Sequence, residues 1–232
     1  LNVREREELF LKLIKILLYF SFLVLFSCSG KPPEVLEIWW QLNLIHDSSS
    51  GKSVESLSLF VHAEDEDGED DIDQIFLLND DTNSVWNIPS DLWVTYSDKN
   101  VNWIGFNELR AHGDGHFSDG NYRILIVDLG GEKAESNIYL KNTIPDKEQI
   151  ILPEINFDNE NIIVQSEFPK FELWFYDADQ TLIDKSKDLL MGKYEWNNVV
   201  RNINRRAASF SLYTEPENGA WGLVSGPYYF NQ

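Results

Sequence analysis

Several stretches of this chain alternate between apolar and polar residues with a period of two, and that pattern admits β-strands and little else. In LEIWWQLNL, Leu36, Ile38, Trp40, Leu42 and Leu44 fall on one side, opposite Glu37, Gln41 and Asn43 with Trp39 beside them. In LSLFVHAE, Leu57, Leu59, Val61 and Ala63 alternate with Ser58, Phe60, His62 and Glu64. KFELWFYD does the same, with Phe171, Leu173 and Phe175 opposed by Glu172, Trp174 and Tyr176. Strands of this kind have one face in a core and one toward water, as in an antiparallel sandwich. Only YEWNNVVRNINRRA breaks the pattern, with Trp196, Val199, Val200 and Ile203 at helical spacing, which predicts a short helix there. The single cysteine, Cys28, rules out an internal disulfide, so packing alone must hold the sheets together.

Charge narrows the partners. With 19 basic against 39 acidic residues the chain carries a formal charge of −20. Binding to phosphate backbones needs clustered Lys and Arg, so nucleic acid is not an expected partner. The same balance fits cationic partners, divalent metals, or a solubilising acidic surface.

Leu1 to Ser27 differs from everything after it. Lys12 and Lys15 precede ILLYFSFLVLFS, an apolar run of signal-peptide length and short of the ~20 residues a membrane span needs. Three acidic residues, Glu5, Glu7 and Glu8, stand before that run, and translation is expected to start later, near Leu11. The run ends in LFSC, Leu25 to Cys28. This resembles the lipobox of bacterial lipoproteins in the relaxed form found in spirochaete-type proteins, with Phe26 larger than the usual small residue. The resemblance implies cleavage after Ser27 and acylation of Cys28, with the membrane as a partner through that lipid. Several acyl chains anchor stably where one does not, and SGKPPE would serve as the tether. Ser29 rather than Asp after the cysteine leans toward the outer membrane, on its periplasmic face or at the cell surface. The plainer alternative is a small buried cysteine beside an ordinary secretory signal.

HAEDEDGEDDIDQIFLLND carries a second resemblance, to bacterial immunoglobulin-like and PKD-like modules, in which an A-x-D-x-D-G turn joins two strands. Ala63, Asp65, Asp67 and Gly68 match that pattern. Tyr122, after the Asp119-Gly120 turn, resembles the tyrosine corner of such sandwiches, and Gly130-Gly131 would turn the chain between the last two strands. The expected fold is all-β: two tandem immunoglobulin-like β-sandwiches after an N-terminal lipoprotein signal helix. The expected division is a signal peptide at 1–27, a lipidated tether at 28–34, a first sandwich at 35–143 and a second, smaller one at 144–232. NTIPDKEQIILPE would form the link, and the runs on either side of EPENG a closing hairpin.

Three constellations are candidates for chemistry. Glu64, Asp65, Asp67, Asp70, Asp71 and Asp73 crowd carboxylates around Gly68. Calcium takes six to eight oxygens, several from carboxylates, so Asp65, Asp67, Asp70, Asp71 and Asp73 are candidate ligands. An EF-hand is excluded because Ala63 stands where its first ligand would be, and the plainer reading is a solvated acidic turn. His112, Asp114 and His116 alternate, but their glycines favour a loop over a zinc site. Trp39, Phe60, Trp174 and Tyr176 sit on the nominally polar sides of their strands and are candidate binding aromatics, unless they pack under a loop or between the units.

No G-x-S-x-G, H-E-x-x-H or phosphate-binding glycine loop is present, so no enzyme is expected. The leading expectation is a lipid-anchored envelope lipoprotein that binds another protein or a matrix component. The alternatives are a structural or accessory envelope subunit in the periplasm and a small-ligand or carbohydrate binder. The last requires a pocket between the two units.

Overall fold

The computed structural model describes residues 30–230 apart from Asp67, Lys99, Asn100, Asp114 and Asn159. The expected signal segment at 1–27 and the expected lipid attachment at Cys28 therefore lie outside the described residues.

The chain is all-β. It runs through β1 (Glu34–Asp47), β2 (Lys52–Glu64), β3 (Ile72–Asn79), β4 (Ser84–Pro89), β5 (Val94–Asp98), β6 (Val101–Arg110), β7 (Gly120–Asp128) and β8 (Lys133–Leu140). It continues through β9 (Glu154–Asp158), β10 (Asn161–Gln165), β11 (Lys170–Tyr176), β12 (Leu182–Lys185), β13 (Leu189–Leu190) and β14 (Gly192–Glu195). One helical turn, α1 (Trp196–Val199), precedes β15 (Ser209–Thr214) and β16 (Gly222–Tyr229). The helical spacing around Trp196 thus yields a single turn.

These strands form three sheets. A nine-stranded sheet has the order β12-β11-β15-β16-β1-β2-β6-β5, with β13 also on β11. A four-stranded sheet, β4-β3-β7-β8, covers one half of its inner face, and a three-stranded sheet, β14-β10-β9, covers the other. The two halves meet where β1 pairs with β16 in parallel, from Asn43 opposite Gly222 to Asp47 opposite Gly226. Two sandwiches are therefore built on one continuous sheet.

The inner faces follow the alternation. Leu57, Leu59, Val61 and Ala63 on β2 are buried against Ile75 and Leu77 of β3 and Ile124 and Ile126 of β7. Phe171, Leu173 and Phe175 on β11 are buried with Phe210 and Leu212 of β15 against Ile162 and Val164 of β10. Burying one such side chain is worth about 1.5–3 kcal/mol, so these rows fix which way each strand faces. Tyr122 is fully buried, and its hydroxyl donates to the Ser118 carbonyl at 3.1 Å, a local tie across the corner before β7.

Leu36 departs from the alternation. The β1–β2 register shifts between Val35 and Glu37, with Val35 opposite Ala63 and Glu37 opposite His62. Leu36 is the extra residue of this bulge and is 40% exposed, while Val35 takes the inward place. A bulge inverts the facing of what precedes it.

A third apolar cluster lies at the junction. Leu44, Phe168, Trp221 and Leu223 are buried there, with Ile144, Ile150 and Leu152 of the linking segment packed on them. Glu55 pins that region from the β2 side. Its buried carboxylate accepts from the Phe117 backbone at 2.9 Å and the Asn142 amide at 2.8 Å, and His116 Nδ1 lies 2.7 Å away.

Candidate functional sites

The acidic turn connects β2 to β3 at the end of the first sandwich where the chain enters β1. Glu34 pairs with Glu64, and the Lys31 ammonium pairs with Glu66. The turn is wound tightly, with Gly68 N donating to the Asp65 carbonyl at 3.1 Å and Asp71 N to the Gly68 carbonyl at 3.0 Å. The winding separates the candidate ligands. Asp65 and Asp71 come together, joined by Asp128 from the end of β7, with a carboxylate oxygen of each within 4.8 Å of the others. Asp70 is exposed, and Asp73 accepts from the Gln74 amide at 2.9 Å; neither belongs to this group. Asp67 lies outside the described residues.

Asp128 is the member that a local reading of the acidic turn cannot supply. It stands before the Gly130-Gly131 turn and is 2% exposed. Its Oδ1 accepts from Glu132 N at 2.8 Å and shapes that turn. Its Oδ2 is buried without a hydrogen-bond partner within the protein. Leu129 N donates to the Asp71 carbonyl at 2.7 Å and fastens the two turns together. Like charges at this spacing repel by about 3–4 kcal/mol per pair at an effective dielectric constant of ~20. The signal in the sequence was an acid at the far end of the hairpin, on the same side of the sandwich as the D-x-D-G turn.

The alternating histidines are held apart from any such group. His112 stacks on Trp86 with ring centroids 4.5 Å apart, and His116 is held at Glu55. Asp114 lies outside the described residues.

The four candidate aromatics share the outer face of the nine-stranded sheet. Trp39 and Phe60 are directly opposite one another on β1 and β2, with ring centroids 5.9 Å apart, and Trp39 is 47% exposed. Trp174 stacks on Tyr213 at 4.7 Å and 13°, while Lys185 Nζ sits 4.3 Å from the ring centroid. A stacked ring on one face and a cation on the other leave Trp174 no open face. Tyr176 is largely buried, and that burial, with Glu108 nearby, pushes its hydroxyl up from 10.0 to about 12. Burial and the Glu215 carboxylate raise the Tyr213 hydroxyl as well.

Tyr176 and Trp174 form part of a cleft of about 380 Å³ that crosses the junction. Asn43 and Ile45 of β1, Val224 of β16 and Phe106 of β6 complete its lining, and the loop before β12 walls it. Both sandwiches thus contribute to one concavity. Gly222 permits this close packing. A Cβ there would lie 2.2 Å from Asn43 Oδ1 and 2.7 Å from Tyr213 Cε2. Phe106, opposite Leu59 on β6 and packed against the first core, also borders the cleft, and only the β2–β6 pairing brings it there.

No family model matches the chain, and no curated protein matches it. Solved structures do. Tp47, the 47-kilodalton lipoprotein of Treponema pallidum, is 9% identical with a TM-score of 0.40, over 84% of this chain and 50% of that one. The N-terminal Ig1-2 module of the Drosophila receptor protein tyrosine phosphatase DLAR is 13% identical with a TM-score of 0.37, over 84% of this chain and 98% of that one. Dimeric latent PorU from Porphyromonas gingivalis is 11% identical with a TM-score of 0.31, over 84% and 20%. The chain spans half the length of the treponemal lipoprotein.

Proposed function

We propose that this is a lipid-anchored cell-envelope protein that acts as a non-catalytic binding module and meets a protein or matrix partner with the outer face of its nine-stranded sheet. The observation that carries the reading is that open aromatic surface and a cleft lie on one face to which both sandwiches contribute. The anchor rests on the sequence LFSC before Cys28. Six residues from Cys28 reach at most about 20 Å, so an anchored chain would hold the acidic turn near the bilayer. The face of the long sheet would then stand away from it.

A second reading, a small-ligand binder, is favoured by the cleft alone, whose volume falls in the range of ~300–1,000 Å³ typical of ligand pockets. Stacking of a sugar on Trp174 is disfavoured because both faces of that ring are occupied.

The test is retention of purified matrix glycoproteins and of solubilised envelope proteins on the immobilised protein. Trp39→Ser and Leu182→Ser on the outer face are compared with Tyr139→Ser on β8. The reading expects loss with the first two and none with the third. Equal retention by all three, or no retained partner, overturns it. For the anchor, Cys28→Ala should leave the detergent phase and lose palmitate labelling; a variant that still partitions and labels refutes the lipid attachment.

A further inference from the structure

We propose that Asp65, Asp71 and Asp128 bind a divalent cation, calcium, that ties the β2–β3 turn to the β7–β8 turn at the end of the first sandwich where the chain enters β1. The three carboxylates come from two segments far apart in sequence, yet one oxygen of each lies within 4.8 Å of the others. Oxygens across a calcium ion, each bonded at 2.3–2.6 Å, stand up to about 5 Å apart, so one ion reaches all three.

Asp128 separates this cluster from an ordinary acidic surface. Exposed carboxylates are neutralised by water and salt, but Asp128 is 2% exposed and its Oδ2 has no donor in the protein. A buried carboxylate oxygen without a donor is costly unless a cation or proton meets it. Its other oxygen is engaged at Glu132 N, so Oδ2 is the oxygen left for a ligand. The ligand set is all oxygen and carries three negative charges, which selects a hard divalent ion over zinc or copper. Magnesium gives up water reluctantly and demands octahedral geometry, whereas calcium accepts irregular sets completed by water.

The site is independent of the outer face and of its partner. Three carboxylates with water completing the shell correspond to a dissociation constant of about 10⁻⁴ to 10⁻³ M, the range of extracellular modules.

The experiment is calorimetric titration of calcium chloride into the full chain in detergent, with thermal melting in calcium, in magnesium and in EDTA. Saturable binding is expected, with a rise in melting temperature of about 5–10 °C when calcium exceeds its dissociation constant a hundredfold. Magnesium should give less than half that rise. Asp128→Asn keeps the acceptor for Glu132 N but removes a charge. It should weaken calcium binding about tenfold or more, yet melt no lower than wild type in EDTA. Asp70→Asn should bind calcium as wild type does. No saturable binding, with a melting temperature unchanged by about 100 mM calcium, a hundredfold above the weakest expected dissociation constant, overturns the proposal. So does an Asp128→Asn variant that loses stability equally in both conditions while binding calcium normally, since that would make Asp128 a turn residue only.

Discussion

The two sandwiches share a sheet but solve the core problem differently. The first closes over long strands with a second sheet of four, and its interior is mainly aliphatic: Leu57, Leu59, Val61, Ile75, Leu77, Ile124 and Ile126. The second has only three short strands for cover, and aromatic rings make up the difference. Phe210 touches the rings of Phe157, Phe175, Trp196, Tyr228 and Phe230. Each aromatic buries more area than an aliphatic side chain and reaches across gaps that a narrow sheet leaves. The lesson is that the smaller half concentrates its stability in few residues, while the larger half spreads it along rows.

The largest predicted effect breaks that contrast directly. Phe210→Ala should cost about 3–5 kcal/mol, whereas Ile126→Ala in the aliphatic core, where the row shares the load, should cost about 2–3 kcal/mol, the low end of its class. Urea denaturation followed by tryptophan fluorescence measures both; equal costs would remove the distinction. Next comes the seam. Gly222→Ala forces a methyl against Asn43 and Tyr213 and should cost about 1–3 kcal/mol. It should loosen both halves, which amide exchange would register in β11 and in β2 alike.

A pH effect should single out the second half. Tyr176 and Tyr213 have hydroxyls raised above their ordinary value of 10.0, Tyr176 to about 12. Their neutral forms are favoured in the folded state, so the stability they contribute is complete below pH 10 and is lost as pH rises from 10 through 12. An alkaline melt should show β11 and β15 loosening before β3 and β7, and Tyr176→Phe should blunt that loss. Tyr122→Phe removes only the bond to Ser118 and should cost about 0.5–1.5 kcal/mol, confined to the first sandwich. Of similar size, Trp39→Ser on the open face removes the contact with Phe60 and should cost about 0.5–1.5 kcal/mol, while altering partner retention.

How much of this was legible in the sequence depended on the range over which the information acts. The faces of β2 and β11 followed from alternation, because burial acts on each strand residue by residue. The Tyr122 corner and the hairpin of β15 and β16 around EPENG are local chemistry and were legible for that reason. Leu36 stands outside the row that alternation assigns it because a one-residue bulge leaves no mark in the apolar pattern. The parallel pairing of β1 with β16 joins opposite ends of the chain, and no local signal encodes it. The sites follow the same division. Asp65 and Asp71 were visible as a crowded turn, but Asp128 became their neighbour only through the pairing of β3 with β7. The four aromatics were visible as residues on the wrong side of their strands, while the cleft beside two of them needed the junction of the halves.

The central claim is that one unbroken sheet carries both sandwiches and so presents a single outer face. Amide hydrogen exchange at the seam tests it most directly. The strand amides of 43–47 and 222–226 should exchange as slowly as those of β2 and β15, in a single unfolding transition. Rapid exchange at the seam, while β3, β7 and β11 stay protected, would mean two independent bodies and would contradict it.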